Sequence, residues 1–159
     1  MTRAMFVTVL HRLAGSPAHF AHEGGGAERR GLFTDVPQGI WYDTAVQWAA
    51  SEGLVNGTST TTFSPDADIS LEQMITVLYR YNQGLGVWDQ GSEDEGNKTN
   101  SQFSTFNSQL AEESSDWAID AMNWAVEQGL FNNIAGILAA KNAATRAQVA
   151  AILMNYGSS

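Results

Sequence analysis

Two places in this chain set an arginine directly behind a threonine at the start of an apolar helical pattern: Thr2-Arg3 and Thr145-Arg146. A threonine so placed accepts a hydrogen bond from a backbone N–H three residues on and fixes where the helix begins. The arginine then stands at the first helical position, facing the positive end of the helix dipole, a placement unfavourable by about 0.3–1 kcal/mol. A guanidinium kept there, beside N–H groups with no partner inside the helix, makes a compact receptor for a carboxylate or phosphate. The plainer reading of both arginines is an ion pair with a nearby loop carboxylate.

Other residue clusters offer weaker chemistry. His19 and His22, beside Glu23, have the spacing of a metal clip, but nothing places them on a helix or supplies a further ligand. Glu93-Asp94-Glu95 could attract Ca²⁺, yet the spacing is not that of an EF-hand loop, and a solvated segment is the simpler reading. Glu112 and Glu113 are adjacent, so they cannot flank a glycosidic bond across the gap of about 5–9 Å that a pair of catalytic carboxylates needs. The chain has no cysteine, no H-E-x-x-H, no G-x-S-x-G and no phosphate-binding loop. No enzyme, cofactor or metal site is expected.

The elements that must position Arg3 and Arg146 are repeated. Thr2–Leu13, Ser70–Tyr81 and Thr145–Tyr156 each open on Ser or Thr and carry apolar residues at i, i+3, i+4 and i+7: Phe6, Val9, Leu10, Leu13; Met74, Val77, Leu78, Tyr81; Val149, Ile152, Leu153, Tyr156. Ser70/Gln73 and Thr145/Gln148 fit capping boxes. In the middle copy the arginine is replaced by Leu71, which cannot donate a hydrogen bond. Glu72 beside it would repel an anion, so this tip is read as inactive toward such a ligand.

A second type of helix alternates with the first. Between residues 41–57 and 117–133, seven of seventeen positions are identical, namely Trp, Ala, Trp, Ala, Gly, Leu and Asn. The spacing predicts a helix from about Ile40 to Glu52 with Trp41, Ala45, Trp48 and Ala49 facing inward, and its copy with Trp117, Ala121, Trp124 and Ala125. Gly53 and Gly129 are placed to end these helices in the left-handed conformation. Small alanines beside tryptophans suit close helix approach. Trp48 and Trp124 read as core; Trp41 and Trp117, on the first turn, are candidates for stacking on a sugar face. Ser115 and Asp116 are placed to cap the Trp117 helix. Phe63, and Leu138 in the later copy, should plug the connecting loops onto the helices, and Phe103 and Phe106 should re-enter the core after a polar insertion.

The 159 residues are 43% apolar, with five Trp and seven Phe, enough for a packed core. A net charge of −9 argues against nucleic acid and against broad attraction to anionic membranes. Any anionic ligand must be captured locally, by a few cations. No apolar run approaches the roughly 20 residues of a membrane span. Met1–Leu10 resembles the internal copies more than a signal peptide, so the chain reads as starting inside a repeat of a longer exported protein.

Taken in register, Phe33-x-Asp35-Val36, Trp41-Tyr42, Ala45, Ala49, Gly53, Gly57, Phe63-x-Pro65 and the Thr-Arg-Ala helix resemble the S-layer homology repeat, and Trp117, Ala121, Ala125, Gly129 and Thr145-Arg146-Ala147-Gln148 repeat the pattern. The middle unit departs from it at Leu71, and the family's usual acidic residue after Thr-Arg-Ala is replaced by Met5 and Gln148. The resemblance implies an all-α fold of helix–loop–helix units in a pseudo-threefold assembly. One SLH-like domain over 1–159 is expected, comprising a partial repeat at 1–15, a repeat at 32–83, an acidic insertion at 84–102 and a repeat at 103–157. It further implies a non-catalytic anchor at the bacterial cell surface. The expected partner is pyruvylated secondary cell-wall polysaccharide, held by Arg3, Arg146, Thr2, Thr145, Trp41 and Trp117. The competing function is a protein-interaction or self-assembly module with degenerate glycan sites, in which the incomplete repeat meets a second copy or a sister protein.

Overall fold

The computed structural model describes residues 1–17, 32–85, 113–134 and 139–157. His19, His22, Glu93-Asp94-Glu95, Phe103, Phe106 and Leu138 lie outside these residues. Among the described residues the protein is all-α, with two isolated antiparallel bridges, Thr2 with Asp68 and Ser70 with Ala143. The helices are α1 (Arg3–Leu13), α2 (Asp43–Ser51), α3 (Leu71–Leu85), α4 (Ile119–Glu127) and α5 (Arg146–Tyr156). A 3-10 turn at Asp116–Ala118 leads into α4. None of the described helices is long and apolar enough to cross a membrane.

The chain divides into two compact units, Met1–Ile69 and Ser70–Ser159. In the first, α1 packs on α2; in the second, α3 packs on α4. Each packing unit therefore runs from a Thr-Arg-type helix to the Trp helix that follows it, whereas the sequence repeat reads in the opposite order. The two registers are out of step by one helix. Order of recurrence does not say which neighbour an amphipathic face will bury against; only packing decides that.

In the first unit, Phe6, Val7 and Leu10 of α1 meet Ala45, Val46, Trp48 and Ala49 of α2 in the core, each buried. Burying a side chain such as Phe6 or Leu10 contributes about 1.5–3 kcal/mol. The His11 ring lies 5.2 Å from that of Trp48, and at the matching place in the second unit Tyr79 lies 5.4 Å from Trp124. Thr8 and Thr76, also buried and also equivalent, each donate to the carbonyl four residues back, Ala4 and Glu72, at 2.8 Å.

The Trp helices start later than their apolar spacing predicts. Because α2 begins at Asp43 and α4 at Ile119, Trp41 and Trp117 sit in the turns before them rather than on the inward face. Ala45, Trp48, Ala49, Ala121 and Ala125 do face inward. Gly53 (φ +69°) and Gly129 (φ +68°) follow the helix ends in the left-handed conformation.

Candidate functional site

The tip of α1 is held by the segment that follows α2. Thr2 caps the helix as its position demands, its hydroxyl accepting from the Met5 N–H at 3.3 Å. The next N–H groups do not wait for a ligand. Arg3 N donates to Ala67 O at 2.9 Å and Ala4 N to Pro65 O at 3.0 Å. This corrects the expectation of free backbone donors at this end: the strap of residues 63–67 occupies them.

The Arg3 side chain is tied down by the same segment. Its Nε donates to Phe63 O at 3.0 Å and its Nη2 to Asn56 O at 2.8 Å, while the guanidinium carbon stands 4.7 Å from the Phe63 ring centroid. A hydrogen bond to a charged group contributes about 1.5–3 kcal/mol, so two of them outweigh a dipole penalty of about 0.3–1 kcal/mol. That balance explains why a cation is tolerated at the wrong end of a helix. Burial pulls the Arg3 pKa below its usual value, and the charge of Asp35 opposes that pull.

Asp35 builds the strap rather than pairing with the arginine. Its two oxygens accept from Phe63 N at 2.8 Å and Ser64 N at 2.7 Å. Those bonds hold Ser64 at φ +58°, a conformation uncommon outside glycine. Thr34 adds two bonds to Thr61 O, from its N–H at 2.8 Å and its hydroxyl at 3.0 Å. The Phe33 and Phe63 rings lie 5.5 Å apart, and Phe63 is fully buried, as a plug for this loop should be. Gly57 is required by close approach, since a Cβ there would strike the carbonyls of Ser59 and Thr62 and come within 2.7 Å of the Phe33 ring. Desolvation pushes the Asp35 carboxyl upward, but the backbone N–H bonds, chiefly from Phe63 and Ser64, together with the Arg3 charge, bring it net below the usual range.

The α3 tip repeats the backbone joint without the cation. Leu71 N donates to Asn142 O at 3.0 Å and Glu72 N to Ala140 O at 2.9 Å, and the Ser70/Gln73 box forms in both directions. Leu71 is buried. Glu72 is only 6% exposed, and its carboxylate accepts from Ser115 N at 2.9 Å and from the Ser115 hydroxyl at 3.2 Å. Ser115 occupies the N-cap position expected of it, but its hydroxyl is given to Glu72 and makes no cap bond of its own. Glu72 is thus an inter-element clamp, not an anion-repelling charge at an open tip.

At α5, Thr145 and Gln148 form the capping box, with Thr145 N donating to Gln148 Oε1 at 2.9 Å and Gln148 N to Thr145 Oγ1 at 3.2 Å. Arg146 is exposed at the first helical position. Thr2 and Arg3 therefore share one tip, and Thr145 and Arg146 another. Trp41 and Trp117 stand at equivalent places in the two units and are 59% and 56% exposed, unusual for so large an apolar ring. Tyr42 braces Trp41 edge-on, with ring centroids 4.9 Å apart.

The partners of Arg3 could not be found from residue types, because Asn56 and Phe63 act through backbone carbonyls, which every residue has. Asp35 did leave a signal, as part of the Phe33-x-Asp35-Val36 pattern.

The family model described as the S-layer homology domain matches residues 32–75 and 111–150, more than half of the chain. The chain belongs to that family. It is also similar to a cellulosome-anchoring protein of Acetivibrio thermocellus, with 26% identity over 93 residues, covering 58% of this chain and 20% of that protein. The chain thus spans about a fifth of that relative's length.

Proposed function

We propose that this S-layer homology protein is a non-catalytic module that anchors a surface protein to the bacterial cell wall by binding an anionic, pyruvylated secondary wall polysaccharide. Family membership and the anchoring role named for the Acetivibrio thermocellus relative support the cell-surface placement. The observation that carries the ligand class is the pinned guanidinium of Arg3. Phe63 O and Asn56 O take Nε and Nη2, which fixes the plane of the group before any ligand arrives, and Nη1 is in neither bond. A preorganised fork is what bidentate recognition of a carboxylate requires. A pyruvate ketal carries such a carboxylate on a sugar, and the exposed rings of Trp41 and Trp117 offer faces on which pyranose C–H groups can stack. Arg146 repeats the Thr-Arg tip; Leu71 does not, and the α3 tip is assigned no glycan role.

The test is co-sedimentation with purified wall polysaccharide before and after removal of the pyruvate. Arg146→Ala and the paired Trp41→Ala/Trp117→Ala change are each expected to weaken binding of the intact polymer by about ten-fold or more, the loss of one charge-assisted bond or one stacked ring. Equal binding of the de-pyruvylated polymer, or undiminished binding by the doubly substituted Arg3→Ala/Arg146→Ala protein, would sink the proposal.

A further inference from the structure

Asn56 anchors the Arg3 guanidinium, and the residue after it is a glycine. The Asn56 carbonyl accepts from Arg3 Nη2 at 2.8 Å. Asn56 is exposed, and its side-chain amide makes no hydrogen bond among the described residues. The backbone beside it is equally idle. Val55 N donates to Ala49 O at 3.2 Å and Thr58 N to Thr62 O at 2.8 Å, but the amides of Asn56 and Gly57 between them donate to no described residue.

An asparagine in this setting carries its own electrophile next to a nucleophile. The nitrogen of the following residue is one ring closure away from the side-chain carbonyl carbon, and a side chain on that residue obstructs the approach; glycine has none. Arg3 adds to this, because a charged donor on the Asn56 carbonyl draws electrons from the same peptide group and makes the Gly57 N–H more acidic. The fold holds the glycine in place, since a Cβ at Gly57 would strike the carbonyls of Ser59 and Thr62. The equivalent place in the second unit keeps the asparagine and loses both aids. Asn132 is followed by Asn133, and its carbonyl accepts from the Asn155 amide, not from a guanidinium.

We propose that Asn56 is a site of spontaneous deamidation, and that the carboxylate it produces captures Arg3. Gly57 N gives its proton to solvent hydroxide and bonds to Asn56 Cγ, and the side-chain nitrogen leaves as ammonia after taking a proton from water, which closes a succinimide ring. Water then opens the ring. Breaking the bond from the nitrogen to Cγ gives aspartate, with a new side-chain carboxylate. Breaking the bond from the nitrogen to the backbone carbonyl carbon gives isoaspartate, in which the chain runs through Cγ and the former Asn56 carbonyl is freed as a carboxylate. The sum is asparagine plus water giving aspartate or isoaspartate plus ammonia, with nothing oxidised or reduced. In the isoaspartate, the very oxygen that receives Arg3 Nη2 becomes part of an anion. An internal carboxylate then holds the group that the glycan reading reserves for pyruvate, so the anion site closes as the protein ages. Only this last consequence rests on the glycan reading.

The test is incubation of the protein at mildly alkaline pH, followed by peptide mapping in a mass spectrometer and labelling with an isoaspartyl methyltransferase. Conversion is expected at Asn56, faster as pH rises, and not at Asn132 over the same period. An Asn56 that stays unconverted, or equal conversion at Asn132, overturns the proposal. Capture is read with no polysaccharide present, from the guanidinium resonances of Arg3 in isotopically labelled protein. These should shift in step with the fraction converted; unmoved resonances overturn the capture. In co-sedimentation, binding of the intact polymer should decline in the same step. Asn56→Gln, whose longer side chain closes its ring far more slowly, should show no decline on incubation, and a decline that persists in it overturns the link to Asn56. Fresh protein that leaves the polymer unbound would sink the glycan reading alone, because conversion and capture are decided by the first two measurements.

Discussion

The two units use the same backbone joint and different side chains to secure it. Where the first has Arg3, Ala4 and Asp43, the second has Leu71, Glu72 and Ile119. In the first unit the Asn56 carbonyl receives Arg3, and the N–H of Gly39 ahead of the Trp helix is capped locally by Asp43 at 2.9 Å. In the second, the equivalent carbonyl of Asn132 receives the Asn155 amide from α5, and the equivalent N–H of Ser115 is capped across the joint by Glu72. Each lost partner is replaced by another residue reaching the same backbone atom. What recurs is the backbone group that is engaged, not the side chain that engages it. The consequence for function is that only the first of these two solutions leaves an oriented guanidinium at a helix tip.

The comparison can be broken most forcefully at Phe63, the fully buried ring under Arg3. Phe63→Ala is expected to destabilise the first unit by about 3–5 kcal/mol, read by denaturant unfolding, with the loss of exchange protection concentrated in α1 and residues 56–67. A change below about 1 kcal/mol would mean that the strap is held without its plug.

A smaller effect is expected at the clamp. Glu72→Ala strands the Ser115 N–H and should cost about 1–3 kcal/mol. If the two units have exchanged capping partners, adding Ile119→Asp should recover part of that loss by restoring the local cap that Asp43 provides. Failure of the second change to recover any stability would show that the caps are not interchangeable.

The mildest effect is set by pH. The folded Asp35 carboxyl is held below its ordinary range, so it stabilises the first unit above the unfolded value of about 3.9, and the contribution is lost as pH falls through the folded value. Exchange protection at the Phe63 and Ser64 amides should accordingly decline below about pH 4, and Asp35→Asn should abolish that step. An identical acid profile in the Asn variant would remove Asp35 from the account of the strap.

Much of this was legible in the residues. The threefold recurrence of the Thr-Arg-type helix, the capping boxes at Ser70/Gln73 and Thr145/Gln148, the helix-ending Gly53 and Gly129 and the plug at Phe63 are local or periodic features, each with a residue-type signature. The candidate site was legible only in part. Arg3, Thr2, Arg146 and Thr145 stand out because a cation behind an N-cap is anomalous. The carbonyls that hold Arg3 leave no such mark, and Glu72 reads as repulsive in isolation because its partner, Ser115, is 43 positions away.

The sequence by itself determined the helical periodicities, the caps and the positions where an arginine or an exposed tryptophan could serve a ligand, because these depend on contacts within a turn or two of chain. Tertiary structure alone decided that α1 and α3 each pack on the Trp helix that follows, that the first-turn N–H groups of α1 and α3 are closed by straps, and that Ala147 and Ala150 are exposed on α5. Those outcomes turn on which distant carbonyls and apolar faces reach a given helix first. Nothing in the local pattern of α1, α3 or α5 encodes that.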